Sequence, residues 1–295
     1  IIKTLDMPDG TITAIGTIQK DMRRWAAEHG DPGVQYTPVA LMTDVFAGWN
    51  PPRLSNWPEA TRTYRVWGSL PYEPGDYLTH GVYDVLYPGY ADSHFFHDER
   101  GFLVPTPYGD IADCLLSDAP DWLLARYAVV VLAGRIAPSV ETADALRAYV
   151  RQGGHLVMTR GNERTLFADG FGACGTGKVT VIPSEWGVET TPQCALPVRS
   201  KVDEVFPNPY PLTAESRRIL QDVFASVRLF GTGETPTNDG LATIACRRGP
   251  GEYTLCVLNN TWEERPLKLW SACGEIESVT ELPTDVSERN AIGFL

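Results

Sequence analysis

The chain has 295 residues, 43% of them apolar and 21% charged, enough for a real core and too apolar for wholesale disorder. Lys and Arg number 25 against 37 Asp and Glu, and the resulting formal charge of −12 repels polyanions. Nucleic acid and anionic membrane surfaces are therefore excluded as partners, and no apolar run approaches the ~18 residues of a membrane-spanning helix.

Taken in order, the first element is a helix over 15–29, with Ile15, Ile18, Met22, Trp25 and Ala26 on one stripe and Lys20, Asp21, Arg24 and Glu28 opposite. Gly30 and Pro32 end it. Pro38–Val45 is a strand, apolar enough to be covered on both faces. A long irregular stretch, 46–75, holds Trp49, Arg53, Trp57, Tyr64, Trp67 and Tyr72. Asp76 is placed to cap a helix over Tyr77–Leu86, closed by Pro88-Gly89, and a second long loop follows at 90–108.

Beyond it the pattern becomes regular. Asp118 and Pro120 start a short helix bearing Trp122, Leu123 and Leu124. Ala128–Ala133 is a buried strand. Ser139 caps a helix with Val140, Ala143, Leu146, Tyr149 and Val150, stopped by Gly153-Gly154. His155–Thr159 is the next strand. Strand, helix and strand at this spacing make a βαβ unit and so a parallel sheet. Lys178–Pro183 adds a strand, and Thr213 caps a long helix carrying Ile219, Leu220, Val223, Phe224 and Val227. From Gly240 four short runs follow, 241–246, 252–258, 267–271 and 276–282, as expected of an antiparallel sandwich begun and not closed.

The order of these layers resembles the family 42 β-galactosidases and their relatives. The first thirty residues are similar to the last helix and exit of a TIM-barrel glycoside hydrolase, through a His29-Gly-Asp-Pro-Gly turn into Tyr36-Thr-Pro-Val-Ala40. Residues 127–162 resemble the middle domain of that family, as does Gly175-Thr-Gly-Lys-Val-Thr-Val181. The resemblance implies three parts. Residues 1–33 would be a barrel exit, and 34–238 a class I glutamine-amidotransferase-like, flavodoxin-like α/β domain serving in trimerisation. Residues 239–295 would be an incomplete β-sandwich. The start on Ile1-Ile-Lys-Thr and the end on Ala291-Ile-Gly-Phe-Leu295 lead to the expectation of a piece of a longer protein.

In amidotransferases a nucleophile occupies the tight turn after the strand equivalent to His155–Thr159. Here that turn is Thr159-Arg160-Gly161-Asn162, without Cys or Ser. Cys174, in Gly172-Ala-Cys-Gly-Thr, follows a glycine-rich loop and is expected to be inert. The six cysteines form no C-x-x-C pair and are expected to be buried thiols. Glycosidase chemistry needs two carboxyl groups, which the resemblance puts on barrel strands upstream of Ile1, so no catalytic residue is expected here.

The candidates that remain belong to a substrate rim. His94-Phe-Phe-His97-Asp98-Glu99-Arg100 packs imidazoles, carboxylates and a guanidinium among aromatic rings, a mixture suited to stacking on pyranose faces and hydrogen-bonding hydroxyls. The same loop also fits a metal site on His94 and His97, or a salt-bridged contact between subunits. The H-x-x-H spacing lacks helical register, and neither metal nor cofactor is expected. Trp49, Arg53 and Trp67 suit the same rim or a domain interface. Asp44 lies at the carboxyl end of the first strand, where α/β sheets place ligands. The expected function is the non-catalytic oligomerising and rim-forming part of a multidomain glycoside hydrolase acting on β-linked sugars, as a homotrimer with an oligosaccharide substrate. A stand-alone carbohydrate-binding or interaction module, and an amidotransferase-type hydrolase, are the alternatives. The compartment is left open.

Overall fold

A computed structural model describes residues 14–46, 74–88, 106–187, 212–237, 240–259, 261 and 263–279. The chain divides into two compact units, one of 36–244 with 256–272, the other of 1–35, 245–255 and 273–295.

The larger unit is built on five parallel strands: β2 (Val39–Thr43), β3 (Ala112–Leu116), β4 (Val129–Leu132), β5 (His155–Thr159) and β6 (Lys178–Ile182). Their order across the sheet is β3-β2-β4-β5-β6. The register runs Val39 to Ala112 and Val129, Val129 to His155, and His155 to Lys178. Side chains alternate between faces, so each strand feeds two cores. Val39, Leu41, Val129, Val131 and Val157 pack on one face. Covering them are α2 (Pro74–Leu86), through Leu78, Val82 and Leu86, and α6 (Ala214–Ser226), through Leu220, Val223 and Phe224. Ala40, Met42, Val130, Leu132, Leu156 and Met158 pack on the other face. There they meet α3 (Asp121–Leu124), α4 (Val140–Arg151) and α5 (Arg160–Leu166). Each fully buried aliphatic side chain contributes about 1.5–3 kcal/mol, so this two-faced burial is the main source of stability. Nearly continuous apolar strands are what such double coverage requires.

The helix boundaries follow their caps. Ser139 Oγ accepts from Thr142 N at the start of α4, and Thr213 Oγ1 accepts from Ser216 N at the start of α6. Both were expected. Two starts differ. The second helix begins at Pro74, a residue whose missing N–H costs nothing in a first turn, so Asp76 lies inside it. Pro120, without a side-chain cap, precedes α3 in place of Asp118. Arg217 on α6 binds Asp84 on α2 at 2.8 Å, fixing the two helices on one face. At the end of α4, Gly154 is required by close approach: a Cβ there would lie 2.2 Å from the Tyr149 ring.

The four-stranded sandwich expected at the carboxyl end is not what is described. The strands β8 (Leu241–Gly249) and β9 (Glu252–Asn259) pair about a turn at Pro250-Gly251, and β1 (Val34–Gln35) joins to give the order β1-β8-β9. Within the smaller unit Val34 faces Arg247 and Gln35 faces Cys246. Gly33, at φ +100°, permits that approach, since a Cβ would fall 2.4 Å from Arg247 O. The same unit carries α1 (Ala14–His29), closed at Gly30 in a left-handed conformation. In the larger unit β10 (Trp270–Ser271) pairs antiparallel with β7 (Phe230–Gly231). The Arg228 guanidinium lies over the Trp270 ring, 4.9 Å from its centroid, and donates to Phe230 O and Glu234 O. No strand forms over 276–279. Among the described residues no helix is long and apolar enough to cross a membrane.

Candidate functional site

All five parallel strands present their carboxyl ends on one edge, and the strand order reverses between β2 and β4. Loops leaving neighbouring strands toward opposite faces open a crevice at such a reversal, the usual ligand position in open α/β sheets. Asp44 sits there, 5% exposed. Its Oδ1 accepts from Phe46 N at 2.7 Å and its Oδ2 from Ala137 N at 2.6 Å. The carboxylate thus ties the end of β2 to the loop after β4. Beside it Ser117, following β3, accepts from Val45 N through Oγ and from Thr142 Oγ1 through its carbonyl.

The loop after β4 is held from two further directions. Thr79 on α2 donates to Ala133 O. Asn162, fully buried, donates through Nδ2 to Gly134 O at 2.8 Å and accepts through Oδ1 from Ile136 N at 3.0 Å. Asn162 reaches that loop because β5 passes into α5 without an intervening residue, with Thr159 Oγ1 accepting from Asn162 N as the cap. The turn expected over 159–162 is instead the start of this helix, and Asn162 was not among the expected site residues. Its signal was present: Thr159 three residues before Asn162 is cap spacing. The junction demands glycine at 161, where a Cβ would lie 2.2 Å from Glu185 O. Gly161 N donates to that same oxygen, and Arg160 N to Ser184 O, so the exit of β6 braces the elbow. Ser184 Oγ is buried without a hydrogen-bond partner, and its lack of accessible surface denies it to a ligand.

Among the described residues, the side chains at this edge are engaged in holding its loops. The passage from β5 into α5, Thr159-Arg160-Gly161-Asn162, carries neither Cys nor Ser. Cys174 lies in the segment leading into the opposite, amino end of β6, where Gly175 abuts Arg151 O at the end of α4. Its side chain packs with the α4-side core. His155, a potential base, points its Nε2 to Thr180 Oγ1 at 2.8 Å on the other face, and burial followed by the Lys178 charge holds it down at about 4. Cysteine and imidazole are therefore on different faces of the sheet. Cys114, Cys256 and Cys273 are exposed, a correction to the buried thiols expected. Among the described residues no group of three or more His, Cys, Asp or Glu could hold a metal ion.

Of the rim and sheet-edge candidates, Asp44 alone is described. Trp49, Arg53, Trp67, His94, His97, Asp98, Glu99 and Arg100 lie outside the described residues. No protein-family model matches the chain, and no curated protein is similar enough to count as a relative.

Proposed function

We propose that this chain is the non-catalytic assembly and active-site-rim portion of a multidomain glycoside hydrolase acting on β-linked sugars, similar in build to the family 42 β-galactosidases. In this reading the parallel sheet is a class I glutamine-amidotransferase-like, flavodoxin-like domain. The strand order supports that assignment, because the first parallel strand lies second in the sheet and the last three follow in sequence order. The observation that carries the non-catalytic part is the passage from β5 into α5: Thr159-Arg160-Gly161-Asn162 holds no Cys or Ser, and the polar atoms of its buried amide, Asn162, are spent on Gly134 and Ile136. The resemblance at 127–162 supports the trimer. The rim role falls to Trp49, Arg53, Trp67 and the His94–Arg100 segment. Light scattering coupled to size exclusion on the intact natural protein is expected to give a trimer at micromolar concentration, in fractions that hydrolyse an aryl β-galactoside. A strict monomer would overturn the assembly role, and a trimer inactive on every β-glycoside tested would overturn the parentage.

A further inference from the structure

The amino end of β6 carries a charge arrangement that the proposed function does not use. His155 opens β5 and stands in register with Lys178, the first residue of β6, so the two side chains leave neighbouring strands on the same face. The imidazole is half-buried, with Nε2 against Thr180 Oγ1, two residues further along β6. Its backbone is pinned from α4, where Tyr149 OH accepts from His155 N at 3.1 Å and donates toward His155 O at 3.4 Å. On the β4 side the register partner is Val129, which brings no charge. Lys178 is the charged group acting on the ring. Strand β6 is last in the sheet order and pairs with β5 alone among the described residues.

We propose that the amino end of β6 is an acid-released edge: a proton on His155 places two cations in register across β5 and β6, and the strand end separates to hydrate them. The neutral ring is compatible with its half-buried seat, whereas the imidazolium is not. Separation removes both penalties at once, because Lys178 is already exposed and only the ring must reach water. Strand β5, bonded on both sides and clamped by Tyr149, stays in place. An edge strand is where such local opening costs least.

The direction follows from linkage. The ring is held below its ordinary value of 6.5, so the open form binds the proton first. Opening therefore grows as pH falls below that value and levels off near 4. Allowing for solvent that already reaches half the ring, the open population rises about 3- to 20-fold between pH 7 and pH 5. Hydrogen exchange at the β6 amides, corrected for the intrinsic pH dependence of exchange, reads this directly. Protection at Lys178 and Thr180, the amides that face β5, is expected to fall by that factor in the wild-type protein, with the β4 amides unchanged. His155→Gln is expected to abolish the fall, and Lys178→Gln, at an exposed position, to reduce it. Equal protection at both pH values in the wild-type protein would overturn the proposal, as would an undiminished fall in either variant.

Discussion

Asn162→Ala tests the claim that one amide holds the carboxyl edge together. The substitution removes the acceptor 3.0 Å from Ile136 N and the donor 2.8 Å from Gly134 O while leaving both backbone groups enclosed. An orphaned buried polar group costs about 1–3 kcal/mol, so two cost about 2–6, and partial relaxation of the loop brings the expected loss to about 3 kcal/mol. Against a total of about 5–15 kcal/mol for a domain, that is a large fraction. With a urea slope of about 2–3 kcal/mol per molar, the midpoint falls by about 1–1.5 M. Asn162→Asp sharpens the test. The carboxylate keeps the bond from Ile136 N but sets a second oxygen against Gly134 O, and a proton restores the missing donor. The folded form therefore binds a proton that the unfolded form lacks, and this variant gains stability relative to the wild type as pH falls toward the ordinary Asp range. A loss below about 0.5 kcal/mol for Asn162→Ala, at unchanged slope, would refute the reasoning, because that is the scale of an ordinary surface substitution.

Two further outcomes follow from the same network. Asp44→Ala strips acceptors from Phe46 N and Ala137 N, but both residues reach solvent, so the expected cost is about 1–2 kcal/mol by the same urea titration; a cost above that of Asn162→Ala would contradict this ranking. In alkali, burial and the Asp113 hydrogen bond push Tyr127 up to about 12, and burial pushes Tyr149 and Tyr87 higher still. The folded state then holds protons that the unfolded state releases near 10, so stability is intact below pH 10 and declines through pH 12. Melting temperatures from pH 8 to 11.5 are expected to show this decline, more gently in Tyr149→Phe; a phenolate absorbance titration completing near pH 10 in the folded protein would refute it.

The regular middle of the chain was legible because double coverage imposes apolar strands and exposed termini impose caps. His155–Thr159 is bounded in the structure as the apolar run bounds it, and Ser139 and Thr213 cap the helices their spacing marks. The strand β3 was missed. As the last strand of the order on its side it is half exposed, and Ala112-Asp-Cys-Leu-Leu116 lacks a continuous apolar signal. The two-residue strands Val34–Gln35 and Phe230–Gly231 exist through pairing with distant partners, which local pattern does not encode. The same limit explains the sandwich. Turn residues marked the Arg248–Gly251 hairpin correctly, but nothing local says that Trp270 pairs with Gly231 and not with a neighbour in sequence. At the site, Asp44 was legible as a strand-end acid; its engagement with Ala137 depends on the path of a loop far along the chain.

The placement of β2 inside the sheet bears on the order in which the domain assembles. Val129 finds His155 across one short helix, whereas Val39 must find Val129 across a far longer span of chain. Closing the longer loop costs more entropy and returns nothing until β4 is there to receive it. Of the five parallel strands, the one made first is thus the one whose pairing is dearest, and it enters a slot whose two walls, β3 and β4, are both translated after it. Until they arrive, Val39–Met42 is an apolar segment with no sheet to join.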